Sequence, residues 1–241
     1  MKAIVFYQHG ESEVLQIHQM DTPTPTYGSA LVQVKAVAMN HLDIWVRKGW
    51  AGLSLQMPHI LGSDISGIVV DVKNDHDRSW IGQEIIISPG IGCGKCEHCY
   101  AGNENYCDRY VIFGENICGG YSEYLTVPVR NLFLKPKHLS FDEAAAFPLT
   151  FLTAYHMLKT RAKIQFGDTV LIHGASSGVG VASIQLAKLF GAKVIASTGS
   201  ESKAKKAYEL GADFVINYAK EDIAKRTMEI TQKKGVDLVV E

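Results

Sequence analysis

The spacing of apolar positions divides the chain into two textures. Before about residue 136 the apolar runs are short and β-like: 3–7, 30–37, 68–72 and 84–87 read as strands. Thr22-Pro23-Thr24-Pro25 and Pro89-Gly90 punctuate them. That pattern predicts a small β-barrel or sandwich. From Pro136 onward the period lengthens. Ser140 is followed at the third position by Glu143, a capping box that opens a helix carrying Ala144-Ala145-Ala146. A second helix is predicted from Thr150 to about Lys159. After Gly167-Asp168, strands and helices alternate: strand 169–173, helix 179–190 closed by Gly191, strand 193–197, helix 201–210 closed by Gly211, strand 214–216, helix 221–233 and strand 236–240. This alternation predicts a doubly wound parallel sheet. The expected division is 1–135 and 136–241. In a six-strand order 3-2-1-4-5-6, the last run would be left as a bare apolar edge, so the expectation is a piece of a longer protein.

Inside the first region lies Cys93-Gly94-Lys95-Cys96-Glu97-His98-Cys99, followed by Cys107. Four thiolates at this spacing surround one tetrahedral Zn²⁺ and leave no open position. Such a site organises a lobe, here about 90–110, and does not bind substrate. Gly92 and Gly94 let backbone N–H groups face the sulfurs. Two disulfides or four unrelated thiols are the alternatives. Cys118 is expected in the core and His98 in solvent.

The second region holds Gly174-Ala175-Ser176-Ser177-Gly178-Val179-Gly180 between a buried strand and a helix. Glycines there let the backbone approach a pyrophosphate, and the helix N-terminus offers free N–H groups. Gly174, Ser176, Ser177, Gly178, Val179 and Gly180 are the candidate dinucleotide contacts. The next strand ends Thr198-Gly199-Ser200, with no carboxylate at its tip to accept ribose hydroxyls. Thr198, Ser200 and Lys203 would suit a 2′-phosphate, which favours NADP over NAD. Glu201 is the counter-indication.

Composition adds exclusions. The 241 residues are 46% hydrophobic and 20% charged, with 24 Lys plus Arg against 25 Asp plus Glu. A net charge near −1 gives no case for nucleic acid or a membrane surface. The N-terminus turns polar at Gln8-His9-Gly10-Glu11, too early for a signal-peptide core, so a cytoplasmic protein is expected.

Together with Asn40-His41-Leu42-Asp43, Leu61-Gly62-Ser63-Asp64 and Leu149-Thr150-Phe151-Leu152-Thr153, these motifs make the chain resemble the medium-chain dehydrogenase/reductase superfamily over its whole length. The resemblance implies an α/β protein: a GroES-like β-barrel catalytic domain with a structural-zinc lobe, then a truncated Rossmann sheet. It also implies a small-molecule substrate and a homo-oligomer, dimer or tetramer, when full length. Zinc-dependent alcohol dehydrogenases of the family hold a second, catalytic Zn²⁺ on Cys, His and a further Cys or Asp, with a nearby Glu. At the matching positions stand Asn40, Ser63 and Leu149, with Asp64 in place of the Glu. An amide and a hydroxyl are poor zinc ligands and leucine is none. The pattern is most similar to the quinone oxidoreductase-like branch, which implies hydride transfer from NADPH to a quinone or activated alkene. Asn40 and Ser63 are then candidate oxyanion donors, Thr153 a nicotinamide contact, His41 a proton relay, and Asp43 and Asp64 braces. Two alternatives stand beside this reading. One is an alcohol dehydrogenase with an atypical zinc site on His41, His59 and Asp64, although His59 reads as part of an exposed loop. The other is a non-catalytic dinucleotide-binding module.

Overall fold

The computed structural model describes residues 1–241, which divide into two compact units, Met1–Leu149 and Thr150–Glu241. No helix is long and apolar enough to cross a membrane.

The first unit is antiparallel β structure. Strands β1 (Lys2–Phe6), β2 (Gln16–Gln19) and β4 (His59–Ile60) form one sheet in the order β2-β1-β4. Strands β3 (Ser29–Ala38), β5 (Asp64–Val72), β6 (Glu84–Ile87), β9 (Tyr124–Pro128) and β10 (Leu132–Leu134) form the other, in the order β10-β6-β5-β3-β9. Val32, Ile65, Val69, Ile85, Ile87, Leu125 and Val127 fill its interior. Buried and more open positions alternate along β6 and β9, the period-2 pattern of a half-buried sheet, whereas the central strand β5 is buried along its first four residues. The β3–β5 register slips at Val34/Ala36. There Gly67 lies so close to Gln33 that a Cβ would stand 2.3 Å from the Gln33 carbonyl oxygen. Only a residue without a side chain permits that approach.

Helix α1 (His41–Lys48) follows β3 and was not foreseen from the sequence. Its buried positions are Asp43, Val46 and Arg47, so the spacing is helical but two of the three are charged. Hydrophobic periodicity therefore carried no signal for it. Strands β7 (Gly90–Ile91) and β8 (Val111–Ile112) pair at the base of the cysteine lobe, which contains the short helix α2 (Glu97–Tyr100).

Residues 136–149 run back onto the first unit. Helix α3 (Phe141–Ala145) opens on the expected capping box: the Glu143 N–H donates to Ser140 Oγ at 3.2 Å, and the Ser140 N–H to Glu143 Oε2 at 2.8 Å. Ser66 Oγ donates to the Phe141 carbonyl at 2.7 Å and fixes the helix to β5. Helix α4 (Pro148–Tyr155) starts on a proline, whose missing N–H costs nothing in a first turn, and widens into a π-helical turn, His156–Arg161.

The second unit is the expected parallel sheet. Strands β11 (Thr169–Ile172), β12 (Lys193–Thr198), β13 (Phe214–Asn217) and β14 (Leu238–Val240) lie in the order β13-β12-β11-β14. Helices α5 (Gly178–Leu189), α6 (Glu201–Glu209) and α7 (Ile223–Ile230) connect them. Val170, Ile172, Val194 and Ala196 face Ile184 and Ala187 of α5 and Ala207 of α6. Leu171, Ile195 and Ile216 face Ile223 and Ile230 of α7. Both faces of the sheet are covered, which accounts for its continuous apolar strands.

Candidate functional site

In the first unit the chemistry gathers around two buried carboxylates. Asp43, in the first turn of α1, accepts from the Asn40 N–H (2.7 Å) and the Tyr121 hydroxyl (3.0 Å) through Oδ2, and from the Gly62 N–H (3.1 Å) through Oδ1. Asp64, at the start of β5, accepts from Asn40 Nδ2 (2.9 Å) and from the Leu149 N–H (2.7 Å). Three chain segments far apart in sequence, at 40, 64 and 149, thus converge on one carboxylate. Asp64 is 1% exposed, and burial raises it to about 6 against the opposing pull of the Asn40 and Leu149 bonds; the charge of Asp43 adds to the rise. Burial raises Asp43 as well, its three donors acting the other way. Ser63 is fully buried, and its hydroxyl has no hydrogen-bond partner. A buried hydroxyl in that state is a costly group to keep, which marks it as functional or strained.

Asn40, Ser63, Asp64 and Leu149 are therefore brought together. His41 is not drawn into the cluster: it is exposed at the N-terminus of α1, with its ring edge-on to Trp45 at 5.1 Å. Thr153 stands exposed on α4. His59 does not lie in an exposed loop. Pairing of β4 with β1 puts it opposite Phe6, whose ring packs 5.5 Å away, and His59 Nε2 donates to the Gly114 carbonyl at 3.2 Å. Burial holds the imidazole below its ordinary pKa, neutral and internally satisfied. His41, His59 and Asp64 do not converge as a donor set; the four lobe cysteines are the group of three or more such residues that does.

The Sγ atoms of Cys93, Cys96, Cys99 and Cys107 all lie within 4.8 Å of one another. Cys96–Cys99 is 3.5 Å and Cys93–Cys99 is 4.0 Å. A Zn²⁺ with four thiolates at about 2.3 Å needs S···S edges of about 3.8 Å, so the donor set and its spacing both fit the ion. All five cysteines are free, which removes the disulfide alternative. N–H groups of Cys93 and Arg109 donate to Cys107 Sγ (3.3 and 3.4 Å), and that of Lys95 to Cys93 Sγ (3.5 Å). Two of these peptides follow Gly92 and Gly94, the glycines expected to allow the approach. The Lys95 N–H is the main cause that brings Cys93 down to about 6. The His98 side chain is 43% exposed, beside Glu97. Cys118 is exposed rather than buried, since the neighbouring Ile117 packs toward the barrel core.

In the second unit, the turn after β11 has the close backbone approach expected of a phosphate-binding turn. Gly174 takes φ +57°, and a Cβ on Gly180 would lie 2.4 Å from the Gly174 carbonyl oxygen. Ser177 caps α5, its Oγ accepting from the Gly180 N–H at 3.0 Å. Ser176 and Gly178 are exposed and Val179 half-buried at the start of this twelve-residue helix. A Cβ on Gly178 would meet the Thr150 methyl at 2.8 Å. At the tip of β12, Thr198 is buried and its hydroxyl donates to the Ser200 carbonyl at 3.4 Å. Ser200 caps α6 with its Oγ accepting from the Lys203 N–H at 3.4 Å. Glu201 turns to Lys220 (2.7 Å) and Asn217 (3.4 Å), and the Lys220 ammonium holds its carboxyl below the usual range. Tyr218 was not foreseen: a Cβ on Gly199 would meet its hydroxyl at 2.6 Å, so the phenol lies against the strand tip. Tyr121 was also missed, and no local motif ties it to Asp43, 78 residues away.

Comparison with known proteins agrees with this architecture. Residues 26–137 match the alcohol dehydrogenase GroES-like domain family, and residues 178–241 the zinc-binding dehydrogenase family. A solved NAD-dependent alcohol dehydrogenase is 48% identical, with a TM-score of 0.94 over 99% of this chain and 70% of that one. An NAD-dependent alcohol dehydrogenase of Sulfolobus acidocaldarius is 32% identical, over 100% of this chain and 70% of that protein. A quinone oxidoreductase of Salmonella typhimurium is 33% identical, over 98% of this chain and 64% of that protein. The chain belongs to the medium-chain dehydrogenase/reductase superfamily and is an NAD(P)-dependent oxidoreductase of it.

Proposed function

We propose that this oxidoreductase transfers hydride from NADPH to a quinone or an activated alkene or carbonyl, with one zinc on Cys93, Cys96, Cys99 and Cys107 that serves structure alone. The observation that carries the reading is the Asp64 cluster. Where zinc alcohol dehydrogenases place metal ligands, an amide, a hydroxyl and a leucine are gathered, and the amide and the Leu149 N–H are both bonded to Asp64. Neutral donors of this kind steady a developing oxyanion without a Lewis acid. Enones and quinones are electrophilic enough to need no more.

A bound nicotinamide supplies the hydride. Asp64 takes one Nδ2 hydrogen of Asn40 and leaves the other for an acceptor oxygen. The unpartnered Ser63 hydroxyl is the second donor. His41, exposed at the start of α1 and outside the cluster, is not assigned the proton transfer, and the proton for the reduced oxygen comes from solvent; Thr153 would orient a bound nicotinamide ring. The Asp64 carboxylate fixes the amide orientation only when ionised, so turnover is expected to fall as pH drops through about 6.

For the cofactor, the reading rests on Ser200, Lys203 and Tyr218 at the tip of β12, together with the diversion of Glu201 to Lys220. Lys203→Glu should weaken NADPH binding about tenfold while changing NADH less than threefold, by fluorescence titration. Equal losses on both cofactors would remove the NADP assignment. NAD-linked alcohol oxidation is the second reading, favoured by the 48% identical solved structure.

Elemental analysis with a steady-state assay separates the two. One zinc per chain and chelator-resistant NADPH oxidation by quinones or enones are expected. Two zincs per chain, with alcohol oxidation abolished by a chelator, would overturn the proposal.

A further inference from the structure

Asp43 is a buried carboxylate met by three donors from three places in the chain. The Asn40 N–H is the peptide of the residue whose amide faces Asp64. The Gly62 N–H belongs to the turn that carries Ser63 and Asp64. The third donor, the Tyr121 hydroxyl, comes from the loop before β9. Its ring lies over Gly62, where a Cβ would stand 2.6 Å from Tyr121 Cδ1. Gly62 itself takes φ +98°, a conformation that side chains resist. The same loop is tied to this turn by backbone: the Tyr121 N–H donates to the Leu61 carbonyl at 2.9 Å and the Gly120 N–H to the Gly62 carbonyl at 2.8 Å.

We infer that Tyr121 is a positioning residue for the Asn40–Ser63–Asp64 cluster and acts through Asp43. Three hydrogen bonds hold the Asp43 carboxylate in one orientation. That orientation in turn sets the start of α1 against the Gly62 turn. Remove the hydroxyl and Oδ2 keeps only the Asn40 N–H; the carboxylate can then rotate, carrying the Asn40 peptide with it. Tyr121 has no need to touch substrate for this to matter, because hydrogen-bond donors aimed at a developing charge lose their effect with displacements well under 1 Å. The inference rests on the proposed role of Asn40 as donor.

The test uses the full chain and three variants: Tyr121→Phe, Asp43→Asn and the double variant. Tyr121→Phe keeps the ring over Gly62 and deletes the one donor. It should lower kcat for quinone or enone reduction about tenfold, with the acceptor KM and the NADPH dissociation constant changed less than twofold. On the Asp43→Asn background the same substitution should change kcat less than twofold, because its route of action is already cut. Additive losses would overturn the inference, as would a Tyr121→Phe enzyme with unchanged kcat. A second readout needs no turnover. The Asn40 backbone amide, held at 2.7 Å by a carboxylate, should give a far-downfield, exchange-protected NMR signal that moves upfield in Tyr121→Phe. If wild-type protein reduces no acceptor, the proposed activity fails, and the amide signal alone decides the role of Tyr121: movement sustains it and an unmoved signal overturns it.

Discussion

The cysteine lobe and the Asp64 cluster both crowd acidic groups into a small volume, and they resolve the crowding in opposite ways. The lobe offers four soft donors at tetrahedral spacing, which only a cation can satisfy together. The cluster offers two carboxylates that accept five hydrogen bonds from N–H and O–H groups, with only the Ser63 hydroxyl left unpartnered. The first arrangement asks for a metal. The second meets its carboxylates with hydrogen bonds, and burial raises both of them. On the proposed reading, the character of three or four side chains around a carboxylate decides between a metal site and an oxyanion site.

The largest effect is expected at the lobe. Cys96→Ser should empty the zinc site and lower stability by several kcal/mol, less than the ~10 kcal/mol that structural zinc gives zinc-finger peptides. Unchanged zinc content and melting temperature would refute the closed-site assignment.

Asp64→Asn sharpens the other side, and the sign follows from the pKa. Asp64 is raised in the fold to about 6 from 3.8, so its protonated form is favoured. Its contribution is full below pH 4 and is lost as pH rises through 6, leaving an ionised buried carboxylate that costs about 3 kcal/mol at pH 8. Asparagine removes that cost. It should raise stability by about 1–3 kcal/mol at pH 8 and leave it nearly unchanged at pH 4, by urea denaturation. Activity should move the other way, because the Asn40 amide then turns its oxygen toward the new NH₂. Stability lost at pH 8 would contradict this account of the cluster.

The smallest effect expected is at Arg130, whose guanidinium donates to the Gly92 carbonyl beside the sulfurs. Arg130→Met should reduce zinc affinity about tenfold, read by competition with a chromogenic chelator, with little change in the barrel. An unaltered affinity would place the metal site wholly within its four ligands.

How far each region could be read from the sequence follows the same division. The phosphate turn and the cysteine lobe are made by residues close together in the chain, largely through backbone, so Gly174 to Gly180 and Cys93 to Cys107 announce themselves. The strand order of the second unit was legible too, because buried parallel strands and their helices write distinct periods. The Asp64 cluster is made by segments at 40, 62–64, 121 and 149, and only family resemblance pointed to part of it. Helix α1 hid behind Asp43 and Arg47 on its buried face. Strands β2 and β9 gave no sufficient signal: β2 is exposed along its whole length, and β9 ends on Pro128. His59 misled because a residue after proline looks like loop, whereas two residues of pairing with β1 suffice to bury it.

The cysteine lobe is joined to the barrel through a narrow neck. Gly90 pairs with Ile112 and Ile91 with Val111, so the excursion leaves the barrel and rejoins it at adjoining points. Asn131 Nδ2 grips the departing strand through the Ser88 and Gly90 carbonyls at 3.0 and 2.7 Å, below the point where the sulfurs begin. An excursion closed in this manner is a detachable appendage: a short hairpin turn could bridge its neck without disturbing the register of any other strand. Gain or loss of the ion during divergence then requires one local insertion or deletion, and the route of the remaining polypeptide stays as it was.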